Sequence, residues 1–115
     1  MVWVDGSGLS RYNLISPISQ VRLLKKSIDE FGWDRIQALL PSGGEGTLKG
    51  LYESETPYVF AKTGTLSNNH NLTGMLITKS GKKLLFSFMN NHFRRPAAEI
   101  RLQMYQVLKT IHEAY

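Results

Sequence analysis

The spacing of apolar residues changes twice along the chain, and each change marks a different kind of element. Ile18, Val21, Leu24, Ile28 and Phe31 recur at steps of three and four, which is one face of an α-helix. Ser16-Pro17 gives that helix its start, with a hydroxyl at the N-cap and a proline at the first helical position; Gly32 gives its stop. A shorter helix is predicted over Asp34–Leu40, capped by Asp34 and closed before Pro41. Beyond the glycine-rich segment Ser42–Thr47 the period falls to two. Tyr58–Thr65 is predicted as a strand and Asn68–Asn71 as a polar turn. Leu72–Lys79 is predicted as a second strand, in which Met75 and Ile77 alternate with Gly74, Leu76 and Thr78. Ser80-Gly81 reads as a tight hairpin turn. Lys83–Met89, rich in Leu and Phe, reads as a third strand buried on both faces. Pro96 opens a last helix with Ile100, Met104, Val107 and Ile111 as its apolar stripe. Val2–Val4 reads as the tail of a strand, and Leu48–Glu55 as a short helix or turn.

The order helix, short helix, three strands, helix predicts an α/β (α+β) domain. An antiparallel sheet with packed helices would fill residues 1–115, with no internal repeat or linker. At 115 residues there is room for one small domain, and 42% hydrophobic against 20% charged residues is the balance of a chain that folds. No apolar run approaches a bilayer span, and no secretory signal precedes Gly6. The chain has no cysteine, and His70, His92 and His112 lack ligand spacing, so no metal site is expected. The net charge of +5 comes partly from scattered pairs, Lys25-Lys26, Lys82-Lys83 and Arg94-Arg95. With no nucleic-acid motif beside them, these read as solvated surface rather than a nucleic-acid face.

Lys62-Thr63-Gly64-Thr65 is the first stretch that suggests chemistry. On a strand, Lys62 and Gly64 face one side and the two threonines the other. A glycine inside a strand often marks close approach by a ligand, and a lysine beside that gap offers a cation to a carboxylate. The strand's own amides could pair with an added peptide. Taken alone, the same residues describe an edge strand with a protective lysine and a bulge. Upstream, Ser10 could relay a proton and the Asn13 amide could hold a peptide bond. Alone, they describe a turn.

In combination these segments resemble one family. They are Asp5-Gly6-Ser7-Gly8-Leu9-Ser10-Arg11-Tyr12-Asn13, a helix opened by Ser16-Pro17, a glycine-rich loop after Leu40-Pro41, and Ala61-Lys62-Thr63-Gly64-Thr65-Leu66 leading into a β-hairpin. The chain is similar to the serine D-alanyl-D-alanine carboxypeptidases/endopeptidases of the class C low-molecular-mass penicillin-binding proteins, over nearly its whole length. The resemblance implies part of a serine β-lactamase/penicillin-binding transpeptidase-like fold and no metal or organic cofactor. It implies that Lys62 binds the terminal carboxylate of a donor peptide and biases the proton network. Thr65 would help hold that carboxylate and lend its N–H to the oxyanion hole, with Thr63 beside it in the substrate-binding strand. Gly64 would leave room for substrate. Ser10 would pass a proton to the departing D-alanine, and Asn13 would hold a substrate amide. The family motif is Ser-x-Asn, whereas two residues separate Ser10 from Asn13. Either a bulge restores the geometry, or Asn13 is not that residue.

The nucleophile of this chemistry is a serine one helical turn from a lysine. Ser80-Gly81-Lys82-Lys83 matches as a string but sits in a predicted hairpin, so the attacking residue is expected outside this chain. The resemblance implies peptidoglycan stem peptides ending in D-Ala-D-Ala and β-lactams as partners, and a periplasmic or extracytoplasmic location. A β-lactamase or esterase on the same scaffold, or a non-catalytic peptide-binding domain, are the alternatives. A sheet edge left bare beside Lys83–Met89 predicts self-association.

Overall fold

In the computed structural model, which describes residues 1–115, the elements run α1 (Pro17–Phe31), α2 (Trp33–Leu39), a 3₁₀ turn (Gly46–Leu48), β1 (Val59–Leu66), β2 (Asn69–Ile77), β3 (Lys83–Asn91) and α3 (Ala97–Ala114). The predicted order and the α+β class hold. The Ser16 side chain accepts a hydrogen bond from the Ser19 N–H, satisfying one of the orphan donors of the first turn of α1. Gly32 ends α1 at φ +89°, a conformation that suits glycine, and its N–H returns to the Ile28 carbonyl. Gly32 is also the N-cap of α2, so Asp34 lies inside the first turn rather than capping it.

The three strands form one antiparallel sheet in the order β1-β2-β3. Thr63 stands opposite Leu72 and Thr65 opposite His70; on the other side of β2, Thr73 stands opposite Ser87. Val59, Ala61, Thr63 and Thr65 share one face with His70, Leu72 and Leu76. That face carries the main core, in which Val59, Ala61, Leu72 and Leu76 pack with Ile100, Met104 and Leu108 of α3 and with Leu48, Tyr52 and Tyr58. The stripe of α3 thus turns through Leu108, and Val107 is 45% exposed. Both residues lie within a helical step of Met104, and only the direction of the sheet chooses between them.

The opposite face carries Lys62, Gly64, Asn69, Asn71, Thr73, Met75, Ser87 and Met89, and α1 lies across its β2–β3 half. Part of the tie between them is polar. Thr73 Oγ1 and Ser87 Oγ both donate to Gln20 Oε1, at 2.5 and 2.8 Å. No α1 residue is fully buried, and the predicted stripe residues Ile18 and Phe31 are 56% and 53% exposed.

Three other expectations shift. Asn69–Asn71 belongs to β2, and the turn is the two-residue Ser67-Asn68, with Asn68 at φ +61°. β3 is half-buried along its middle rather than buried on both faces, because it is an edge strand. Val2 makes an isolated bridge to Leu14 and no strand.

Candidate active site

β1 is the element on which the chemistry-bearing residues meet, and its outer edge is only half covered. The Ala61 N–H donates to the Pro41 carbonyl and the Gly43 N–H to the Val59 carbonyl. Antiparallel strands direct the backbone groups of alternate residues to the same side, so Thr63 and Thr65 also point theirs outward. No backbone partner meets them beyond Ala61. The uncovered stretch coincides with Lys62–Thr65.

Lys62 is exposed and curls its Nζ over this edge, donating to its neighbour's carbonyl, Thr63 O, at 2.9 Å. A Cβ added to Gly64 would find nothing within 4 Å, so the space above it is open. Thr63 and Thr65 turn their hydroxyls to the core face. Thr63 Oγ1 bonds Thr47 Oγ1 at 2.9 Å, and Thr65 Oγ1 bonds His70 Nδ1 at 2.7 Å. What these threonines offer at the open edge is backbone.

Ser10 lines a groove of about 330 Å³ on the Lys62 face, together with Arg11, Asn13, Gln20, Leu66 and Asn71. Gly64 is the strand partner of Asn71, and Lys62 lies two residues further along, a step of ~7 Å. Ser10 and Lys62 therefore serve the same side of the sheet without touching, and Ser10 Oγ accepts from the Tyr12 N–H at 3.2 Å. The Asn13 amide is occupied within its own loop. Its Oδ1 accepts from the Val4 and Asp5 N–H groups at 2.7 and 3.2 Å, and its Nδ2 donates to the Asp5 carbonyl at 3.0 Å. Asp5 in turn takes the Ser7 hydroxyl and N–H, which hold its carboxyl below the usual carboxylate range. Asn13 builds the loop that presents Ser10.

Sequence reasoning passed over Asn71, whose Oδ1 is buried without a partner at the groove, and Gln20. It also passed over His70, behind the site. The signal was present in the alternation Asn69, Asn71 against His70, Leu72, which has a strand's period. Ser80 lies in the β2–β3 turn, where Gly81 takes φ +85°, and Lys83 begins β3; the pair is not on a helix.

An antiparallel sheet backed by a C-terminal helix, with Lys-Thr-Gly on a half-open edge strand, is the arrangement that the resemblance to the penicillin-binding proteins implies. A family model described as D-Ala-D-Ala carboxypeptidase 3 (S13) family matches residues 1–111, and the chain belongs to that family. It is similar to the D-alanyl-D-alanine carboxypeptidase DacB of Haemophilus influenzae, 33% identical over 100 residues, covering 79% of this chain and 20% of the relative. It is also similar to the crystal structure of penicillin binding protein 4 (dacB) from Haemophilus influenzae complexed with a novel β-lactam. That match has TM-score 0.78 and 26% identity, over 95% of this chain and 28% of the other. A second crystal structure of that protein matches with TM-score 0.66 and 27% identity, over 90% of this chain and 27% of the other. The chain thus spans about a fifth of the length of its curated relative.

Proposed function

We propose that the chain is the C-terminal portion of a periplasmic or extracytoplasmic serine-type D-Ala-D-Ala carboxypeptidase/endopeptidase, acting on peptidoglycan stem peptides through an acyl-enzyme. The carrying observation is the uncovered edge at Thr63 and Thr65, with Lys62 curled over it and the Ser10 groove on the same face. A peptide added along β1 would take hydrogen bonds from the strand while its carboxylate meets the Lys62 ammonium. The Thr65 N–H points to the side where an oxyanion would develop. Ser10 is the proton-handling hydroxyl at the groove, and Asn13 supports its loop. A segment outside this chain supplies the nucleophilic serine, which attacks the peptide carbonyl, releases D-alanine, and is freed by water. β-Lactams, bound by the Haemophilus relative, would acylate the same serine.

This assignment is tested with a fluorescent penicillin. The chain alone is expected to remain unlabelled, while the same chain joined to its nucleophile-bearing portion is labelled at one serine. Loss of that label's formation rate in Lys62→Ala is the expected signature; an unchanged rate overturns the role of Lys62. The bare outer side of β3 is expected to pair with a second copy in the isolated chain. Light scattering that finds only monomer at high concentration overturns that pairing.

A further inference from the structure

Resting on the carboxypeptidase reading, we propose that His70 is a positioning residue for the substrate-binding edge. From the far side of the sheet its imidazole holds the Thr65 hydroxyl, and through it the backbone that β1 turns outward at Thr65.

The geometry is specific. Thr65 and His70 are cross-strand partners, one ladder step from the Ser67-Asn68 turn, and the Oγ1···Nδ1 distance is 2.7 Å. His70 is only 3% exposed, so its ring cannot trade this bond for one to water. Between Thr65 and the turn, only the Leu66–Asn69 pair further restrains the end of β1. The outer side of Thr65 has no backbone partner at all. A hydroxyl fastened on one face of a strand fixes the tilt of that residue's peptide plane. Here the tilt decides where the Thr65 N–H points.

The surroundings make the fastening depend on the charge of the ring. α3 contributes Arg101, and the segment before β1 contributes Tyr52 and Thr47 to the same small cavity. β1 contributes Thr63 to the cavity and the uncharged Thr65 to the ring itself, and beside the ring stands Asn90 of β3, the strand partner of His70, with its Nδ2 buried and without a hydrogen-bond partner. No carboxylate lines this cavity to balance an imidazolium. Burial first, and the Arg101 guanidinium second, disfavour the cation. A neutral ring can accept the Thr65 proton. An imidazolium would have to donate to the Thr65 oxygen instead, reversing the bond, and would face Arg101 with no carboxylate to balance it, so acid should loosen the edge.

The test is an acid titration of this chain followed by ¹H–¹⁵N and ¹H–¹³C correlation spectra. The His70 ring is expected to titrate below the ordinary histidine value, and the amide signals of Lys62, Gly64 and Thr65 to move with the same midpoint. His70→Asn, whose side-chain oxygen can replace Nδ1 as an acceptor, should keep their neutral-pH positions and abolish the response. His70→Leu should move them at every pH. Binding of an N-acylated D-Ala-D-Ala peptide, read in the same spectra, should weaken about tenfold in His70→Leu and return in His70→Asn, the loss expected for one hydrogen bond's worth of orientation. Lys62–Thr65 amides that stay flat while His70 titrates in the unsubstituted chain overturn the proposal. If those amides track His70 but no peptide binds at any pH even when the chain is joined to its nucleophile-bearing portion, the positioning stands and the carboxypeptidase reading is what fails.

Discussion

The two faces of the sheet are packed in opposite ways. Behind it, Leu72, Leu76, Ile100, Met104 and Leu108 are each 7% exposed or less and make one apolar cluster with Tyr52 and Tyr58. In front, Met75 is the one fully buried sheet side chain, and α1 is attached with the help of hydrogen bonds among Gln20, Thr73 and Ser87. Apolar burial stabilises without demanding a direction, whereas hydroxyls and amides bond only where they are aimed. The rear face carries the larger apolar core. The front face holds its polar groups in fixed directions over a groove, which is what a binding surface requires. Tyr52 shows the cost of confining polar atoms on the rear face. Desolvation, with Tyr58 and Tyr105 adding to it, pushes its phenol well above the ordinary tyrosine value.

The contrast can be broken most completely at Gly74. A Cβ there would collide with the Phe60 carbonyl and stand 2.6 Å from the Ala61 Cα, backbone that cannot retreat without parting β1 from β2. Gly74→Val is expected to cost more than about 4 kcal/mol and to abolish cooperative unfolding in a denaturant melt. Next comes a matched pair. Met104→Ala on the rear face should cost about 2–5 kcal/mol, while Ile18→Ala on α1 should stay within about 0.5 kcal/mol, both measured by urea unfolding. Similar losses at the two sites would mean that α1 packs as closely as α3.

A third expectation concerns acid. The folded His70 has its pKa below the unfolded value of 6.5, so in the window beneath that value the unfolded chain binds more protons. The contribution of His70 to stability is therefore full above about pH 6.5 and falls as the pH drops through its folded pKa. The melting temperature of His70→Asn should lose this component of the acid dependence. The smallest effects belong to the front surface. Gln20→Ala should cost about 1 kcal/mol, since Thr73 and Ser87 lie 3.1 Å apart and can bond each other. Removing the solvent-exposed Lys25–Asp29 pair with Asp29→Ala should cost about 0.3–0.5 kcal/mol, diminishing with salt.

What was legible in the sequence follows the same division. The limits of α1 were written locally, in Ser16-Pro17 and Gly32, because caps depend on neighbours in the chain. The core of α3 was written in a period, yet the choice of Leu108 over Val107 is made by the sheet, which no local pattern records. Asn69–Asn71 misled because polar residues in a row resemble a turn. Asn71 is polar toward the groove, and His70 is polar toward a buried partner, Thr65. At the site, Lys62 and Gly64 were legible as a strand motif in company. The binding of Asn13 to its own loop was not, because it depends on Val4 and Asp5 folding back across nine and eight residues.

The short cover of Pro41–Gly43 over the first half of β1 has one more consequence. A guest strand running antiparallel to β1 finds two open rungs, Thr63 and Thr65, and then meets that cover head-on with its carboxy end. The slot is a cul-de-sac: it limits how far a guest can run along β1, and favours guests whose carboxy end stops where the cover begins.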